Sequence, residues 1–280
     1  MSIVQFTQVA KRFERAKGAD RHTEPGFAVQ DLTFSIEAGE LVAVVGKTGC
    51  GKSTMFNLLI GLLAPSAGSV RVLDKDPFEQ FDALGGKVGV VFQSDRLLPW
   101  HTALANVAYG LELRKVDKAT RLRAAAEWLK RLGLDAHADK YPHALSGGMR
   151  QRISIARAFA TDPDILLCDE PFSALDEITG ATLRNELRRL VKETRKTGVL
   201  VTHSIREAID VGDRILVLRA PGHVAADFHV PTMLAEVGET QLKKLVLEAM
   251  GDTAQVASDA ATAAVDGDRA GGLVRSGAAG

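Results

Sequence analysis

The run Gly46-Lys47-Thr48-Gly49-Cys50-Gly51-Lys52-Ser53-Thr54 constrains this chain more than any other stretch. Its spacing is G-x-x-x-x-G-K-[ST]. The apolar run Leu41-Val42-Ala43-Val44-Val45 precedes it directly, and a helical pattern follows from about Lys52 to Leu63, closed near Gly61 and Pro65. A strand that feeds a helix through a glycine loop opens a βα unit. An unbroken apolar strand needs cover on both faces, which parallel neighbours and crossover helices supply. In such a loop the backbone N–H groups from 49 to 53 wrap phosphate oxygens. Lys52 reaches the outer two phosphates, and the Ser53 hydroxyl is a ligand for Mg²⁺. The whole run, Gly46, Lys47, Thr48, Cys50 and Thr54 included, is the candidate phosphate cradle. The Lys47 side chain reads as a solvated charge on its outer side, and the Cys50 side chain as a small filler.

The rest of the chain continues this pattern. Alternation predicts strands over 3–9 and 29–36, and short apolar runs predict more at 68–73, 87–92, 164–168, 199–202 and 214–218. Residues 14–26 are polar and marked by Gly and Pro, which reads as a loop. Helical spacing covers 118–132 (Leu122, Ala126, Leu129 and Leu132, stopped by Gly133), 146–160 (Met149, Ile153, Ala156, Ala160) and 177–196 (Leu183, Leu187, Leu190). A further helix near 238–249 is expected to pack on the domain. The fold class is therefore α/β, a phosphate-loop NTPase type with a mainly parallel central sheet, an N-terminal antiparallel β portion and a helical subdomain inserted at about 94–160. Residues 1–253 form one domain. From about Ala254 the chain turns Ala/Gly/Asp-rich and loses periodicity, so 254–280 reads as a disordered tail.

Composition excludes several classes. Lys plus Arg number 35 and Asp plus Glu 35, and a net charge of zero argues against a nucleic-acid binder held by bulk charge. The cysteines, Cys50 and Cys168, lack metal-type spacing and imply no disulfide framework, so a reducing compartment is expected. The start MSIVQFTQVAKRF lacks the pattern of a signal peptide, and no run approaches the roughly 18 apolar residues of a membrane span. Any membrane role is expected to run through a partner.

A second phosphate-binding end lies at Leu145-Ser146-Gly147-Gly148-Met149-Arg150-Gln151-Arg152. Two glycines behind a serine at a helix start leave bare N–H groups at the positive end of the helix dipole. Farther on, Ile165-Leu166-Leu167-Cys168 runs into Asp169-Glu170-Pro171. Carboxylates there stand at the C-terminal strand edge where α/β proteins bind ligands. Asp169 is placed to hold Mg²⁺ through water, and Glu170 to polarise an attacking water. Gln93 and His203 end two other strands and point at the same edge: Gln93 toward Mg²⁺ or the water, His203 toward the γ-phosphate. Asp176, in Ser173-Ala174-Leu175-Asp176, reads as the cap of the long helix.

In this order (46–54, Gln93, LSGGMRQR, ILLCDEP, SALD, His203) the motifs resemble those of the ATP-binding subunit of ABC transporters, over about residues 3–230. A finer likeness lies in Leu97-Leu98-Pro99-Trp100, Thr102, Asn106-Val107 and Gly110-Leu111-Glu112-Leu113, which is similar to importers of nitrate, sulfonate, taurine and related solutes. The resemblance implies an ATPase that uses ATP and Mg²⁺ and works as a homodimer sandwiching two nucleotides. The loop 46–54 of one copy would then face Ser146, Gly147 and Gly148 of the other. It also implies two transmembrane permease subunits, a separate solute-binding protein, a peripheral place on the cytoplasmic face of the membrane and no nucleic acid. An aromatic should stack on adenine: Phe13 ends the family's KRF position, with Phe27 as competitor. Lys47 stands where many relatives have proline, and Ser204 where aspartate is frequent. An exporter ATPase, a regulatory subunit with a sensing C-terminus, or a soluble family member acting on nucleic acid or ribosomes remain alternative readings. One geometric expectation follows: within a single chain Ser146 should stand too far from Lys52 to share its phosphate.

Overall fold

The computed structural model describes residues 1–13 and 26–251. The expected loop at 14–26, apart from Gly26, and the tail 254–280 lie outside the described residues. Strands β1 (Ser2–Arg12), β2 (Phe27–Glu37) and β4 (Ala67–Val72) form an antiparallel sheet in the order β2-β1-β4. Val4 faces Ile36 on one side and Val72 on the other. Val4, Phe6 and Val9 are buried on β1, as are Val29, Leu32, Phe34 and Ile36 on β2, and the rings of Phe6 and Phe34 stack at 4.6 Å.

The second sheet has six strands. Their order is β5 (Val88–Val91), β6 (Ile165–Asp169), β7 (Thr197–Thr202), β3 (Leu41–Val45), β8 (Arg214–Arg219) and β9 (His223–His229). The first five run parallel, and β9 closes the edge antiparallel to β8. The apolar runs have the predicted cause, because each inner strand is buried on both faces. Val42 and Val44 face the antiparallel sheet and helix α1 (Lys52–Leu59), whereas Ala43 and Val45 face α6 (Ile205–Val211) and α8 (Gly238–Ala249). On β6, Ile165 and Leu167 take the first side, and Leu166 and Cys168 meet the inserted helices.

Between β5 and β6 lie α2 (Ala103–Leu113), α3 (Lys118–Arg131) and α4 (Gly147–Ala160); α5 (Glu177–Glu193) follows β6. The face of α3 differs from the expected one. Ala125 is buried and Ala126 exposed, so the inward stripe is Leu122, Ala125, Leu129 and Leu132. Helix α4 is covered nearly all round by α2, α3, α5 and β5, and Ile153, Ser154, Ile155, Ala156, Ala158 and Phe159 are all buried. Helix α7 (Val230–Glu236) leads into α8, which packs Leu242 and Val246 on the domain as expected. Among the described residues no helix is long and apolar enough to cross a membrane.

Candidate active site

Four neighbouring parallel strands deliver the motif residues to one edge. The phosphate loop leaves β3, Gln93 follows β5, Glu170 follows β6 and His203 follows β7. This is the carboxyl edge at which open α/β sheets bind ligands.

The loop is shaped by close approaches. A Cβ on Gly46 would stand 2.5 Å from the Leu218 carbonyl oxygen and 2.5 Å from Cys50 Sγ. Gly51 has φ +104°, and a Cβ there would meet the Ala28 carbonyl oxygen at 2.7 Å. Gly51 caps α1 without a side-chain acceptor, so the first amides of α1 stay open to an anion. Lys52 is 8% exposed, and its ammonium donates to the carbonyls of Gly46 at 2.5 Å and Lys47 at 3.2 Å. Thr48, Gly49, Gly51, Lys52, Ser53, Thr54, Ala28 and Glu170 line a cavity of about 220 Å³. That is smaller than the roughly 300–1,000 Å³ of sites that enclose a whole small ligand, and its size suits a phosphate chain. Gly46, Lys47 and Cys50 do not line this cavity. The Cys50 side chain is buried as filler, and its N–H is spent on the Lys47 carbonyl at 3.1 Å. The Lys47 ammonium is not merely solvated, since it donates to the Gly251 carbonyl at 3.1 Å.

Glu170 is the hub of the facing wall. Its backbone takes φ +45°, costly for a side chain with a Cβ. It is pinned there by its own N–H on the Val201 carbonyl at 2.8 Å and by the Ser173 hydroxyl on its carbonyl at 3.0 Å. Its two carboxylate oxygens take different partners: Gln93 Nε2 donates to Oε2 at 3.4 Å, and His203 Nδ1 lies 3.1 Å from Oε1. Burial raises the proton affinity of Asp169, and the adjacent Glu170 raises it further; Arg96 and Lys52 pull it back. Gln93 and His203 thus both meet the Glu170 carboxylate, and Asp169 precedes Glu170 at the same strand end.

Ser146, Gly147 and Gly148 do not join them. They open α4, where Ser146 Oγ accepts from the Met149 N–H at 3.3 Å, and none of them lines the cavity. Phe13 and Phe27 lie at one end of the β1–β2 pair, where Arg12 is opposite Phe27. Phe13 is 45% exposed with Lys11 Nζ at 5.5 Å, whereas Phe27 is half-buried under the Arg12 guanidinium at 4.8 Å.

Spacing alone did not disclose what holds Gln93. Arg157 donates to the Asp95 and Arg96 carbonyls at 2.8 Å each, Arg150 pairs with Asp95 at 2.9 Å, and Gln151 donates to the Phe92 carbonyl at 3.3 Å. The helix that begins at Ser146 therefore grips the segment around Gln93 of its own chain. Asn106, fully buried, does the same for the next turn. Its side chain bonds the backbone of Leu98, His101 and Thr102 and leaves Trp100 69% exposed.

Known proteins resemble this chain in both sequence and fold. Residues 29–173 match the family model described as ABC transporter. An uncharacterized ABC transporter ATP-binding protein of Methanocaldococcus jannaschii is 39% identical over 230 residues, 80% of this chain and 85% of that one. The taurine import ATP-binding protein TauB of Escherichia coli K12 is 41% identical over 198 residues, 70% of this chain and 76% of its own length. Among solved structures, a dimeric post-hydrolysis state of the ATP-binding cassette MJ0796 with ADP and Pi superposes with a TM-score of 0.70 at 35% identity. It covers 81% of this chain and 98% of that one. The chain belongs to the ABC transporter family, as one of its ATP-binding, ATP-hydrolysing subunits.

Proposed function

We propose that the chain energises import of a small solute of the nitrate, sulfonate or taurine type through two membrane permease subunits fed by a solute-binding protein. It would sit peripherally on the cytoplasmic face of the membrane. The observation that carries this reading is the segment Leu97-Leu98-Pro99-Trp100, held by Asn106 with Trp100 presented outward, in a chain 41% identical to a taurine import ATP-binding protein. In this reading residues 1–253 are one ATP-binding unit, with 94–160 its helical subdomain.

The residues present suit Mg²⁺. The Gln93 amide oxygen and the Asp169 carboxylate stand at the ends of the neighbouring strands β5 and β6, and the Ser53 hydroxyl stands in the first turn of α1. All three are hard oxygen donors, and a half-buried Asp169 gains from a nearby cation. Bound there with the phosphates, the ion would neutralise their charge. Lys52 exchanges its two carbonyl partners for phosphate oxygens. Glu170 accepts from the attacking water, Gln93 and His203 hold its carboxylate in place, and His203 offers its far ring nitrogen to the γ-phosphate. Positioning of this kind, rather than covalent chemistry, carries phosphoryl transfer. Phe13 stacks on adenine. Ser146, Gly147 and Gly148 of a second copy close the site. Their open helix end suits an anion, and in their own chain they stand off the cavity.

The test is Glu170→Gln. The amide keeps shape but loses the base, so the variant should trap ATP in a stable dimer with hydrolysis down by 10²-fold or more, on the order of a lost general base. Hydrolysis at the parent rate would exclude Glu170 from this role. Co-purification with permease subunits, followed by uptake assays with nitrate, taurine and alkanesulfonates, tests the importer assignment separately.

A further inference from the structure

The turn that carries His203 is held by a second carboxylate, from inside the protein. Glu207, in the first turn of α6, is buried, and its Oε2 stands 2.5 Å from Thr202 Oγ1. That hydroxyl also accepts from the Ser204 N–H at 3.0 Å. With the amide as donor, the hydroxyl's own proton goes to the glutamate. Ser204 Oγ in turn accepts from the Glu207 N–H at 3.3 Å. Both neighbours of His203 are therefore bound to Glu207, one through a side chain and one through a cap.

His203 needs such support. Its side chain is 62% exposed, and a contact with Glu170 at 3.1 Å orients the ring. An exposed imidazole takes its position from its backbone. Glu207 also lies in the field of a charged network. Burial raises its proton affinity, while the Thr202 hydroxyl and then Arg184 lower it. Arg184, 4% exposed, pairs at 3.0 Å with both Asp210 and Glu177. Serine at 204 caps α6 without adding a further negative charge beside this buried carboxylate.

We propose that Glu207 is a positioning residue for ATP hydrolysis, setting His203 against Glu170 through the Thr202 hydroxyl and the Ser204 cap. The proposal rests on the role given to His203 above. It is tested by kcat and KM for ATP in Glu207→Ala, Glu207→Gln and Thr202→Val, each alone and combined with His203→Ala. Glu207→Ala should lower kcat about tenfold or more, with KM within about twofold. Glu207→Gln, whose amide oxygen still accepts from Thr202, should stay within about threefold of the parent. Thr202→Val breaks the same bond with Glu207 in place and should repeat the alanine result, which covers the case of a poorly folded Glu207→Ala. In the His203→Ala background none of the three changes should cost anything further, because a residue that acts through His203 has nothing left to position. Parent-like kcat in Glu207→Ala, a loss confined to KM, or full additivity with His203→Ala would overturn the proposal. If His203→Ala alone leaves kcat unchanged, the role of His203 is what fails.

Discussion

Asp176 caps α5, its carboxylate accepting from the Thr179 N–H at 3.0 Å, and that backbone bond holds its carboxyl below the usual range. A carboxylate with a depressed folded pKa contributes stability above its unfolded value, about 3.9, and loses it as pH falls through the folded value. Asparagine caps equally well but does not titrate. Thermal unfolding between pH 5 and pH 3 should therefore show a smaller fall in Tm for Asp176→Asn than for the parent; equal falls would deny the cap its share. Residues of this kind were legible in the sequence because their chemistry depends on near neighbours in the chain. Asp176 and Thr179, Lys52 and Gly46, and Asp169 beside Glu170 are all short-range pairs. Lys47 with Gly251, Arg157 with Asp95 and Arg184 with Asp210 are joined only by folding, and no spacing announces them. Glu207 lay between the two cases. It is five residues from Thr202, yet on a sequence it reads as one more solvated acid in a short amphipathic turn.

The apolar inner strands could be read directly, because burial on both faces leaves an unbroken run. Elements with less to bury could not. Helix α6 spans only seven residues, too few for a periodic stripe, and β9 is an edge strand whose sequence HVAADFH carries no apolar run. On α3 the choice between Ala125 and Ala126 was settled by packing, since one methyl weighs too little to set a helix face. Helix α8 shows the opposite case: Leu242 and Val246 give it a clear apolar side, and Leu242 is fully buried against the α6–β8 layer. Leu242→Ala should cost about 2–5 kcal/mol, the range for a buried leucine truncated in a packed core. Denaturant unfolding would measure it, and a loss below about 0.5 kcal/mol would mean that α8 sits on the surface rather than in the core. The grip of α4 on the Gln93 segment belongs at this scale too. One helix carries the Ser146–Gly148 end and, one to three turns later, the arginines that hold the segment next to Gln93, so both belong to a single rigid element.

At the scale of the whole molecule, the dimer reading gives each copy two half-sites that are completed in trans. Gly147 allows this to be tested cleanly. A Cβ there would come no nearer than 3.9 Å to Arg150 Nη2, so Gly147→Asp fits its own chain, and an acid in the first helical turn agrees with the helix dipole. What it spoils is the reception of a phosphate. Lys52→Ala spoils the opposite half. In the Glu170→Gln background, a dimer pure in either lesion has two damaged sites. A mixed dimer, one copy Lys52→Ala and the other Gly147→Asp, gathers both lesions into one site if the halves belong to different chains, and the second site is then whole. Two differently tagged copies, co-purified, should hold one ATP per mixed dimer and almost none in either pure form. If each chain completed its own site, the mixed dimer would hold none, since both copies would carry a damaged one. The nucleotide count thus separates the two architectures without reference to transport, permease or solute.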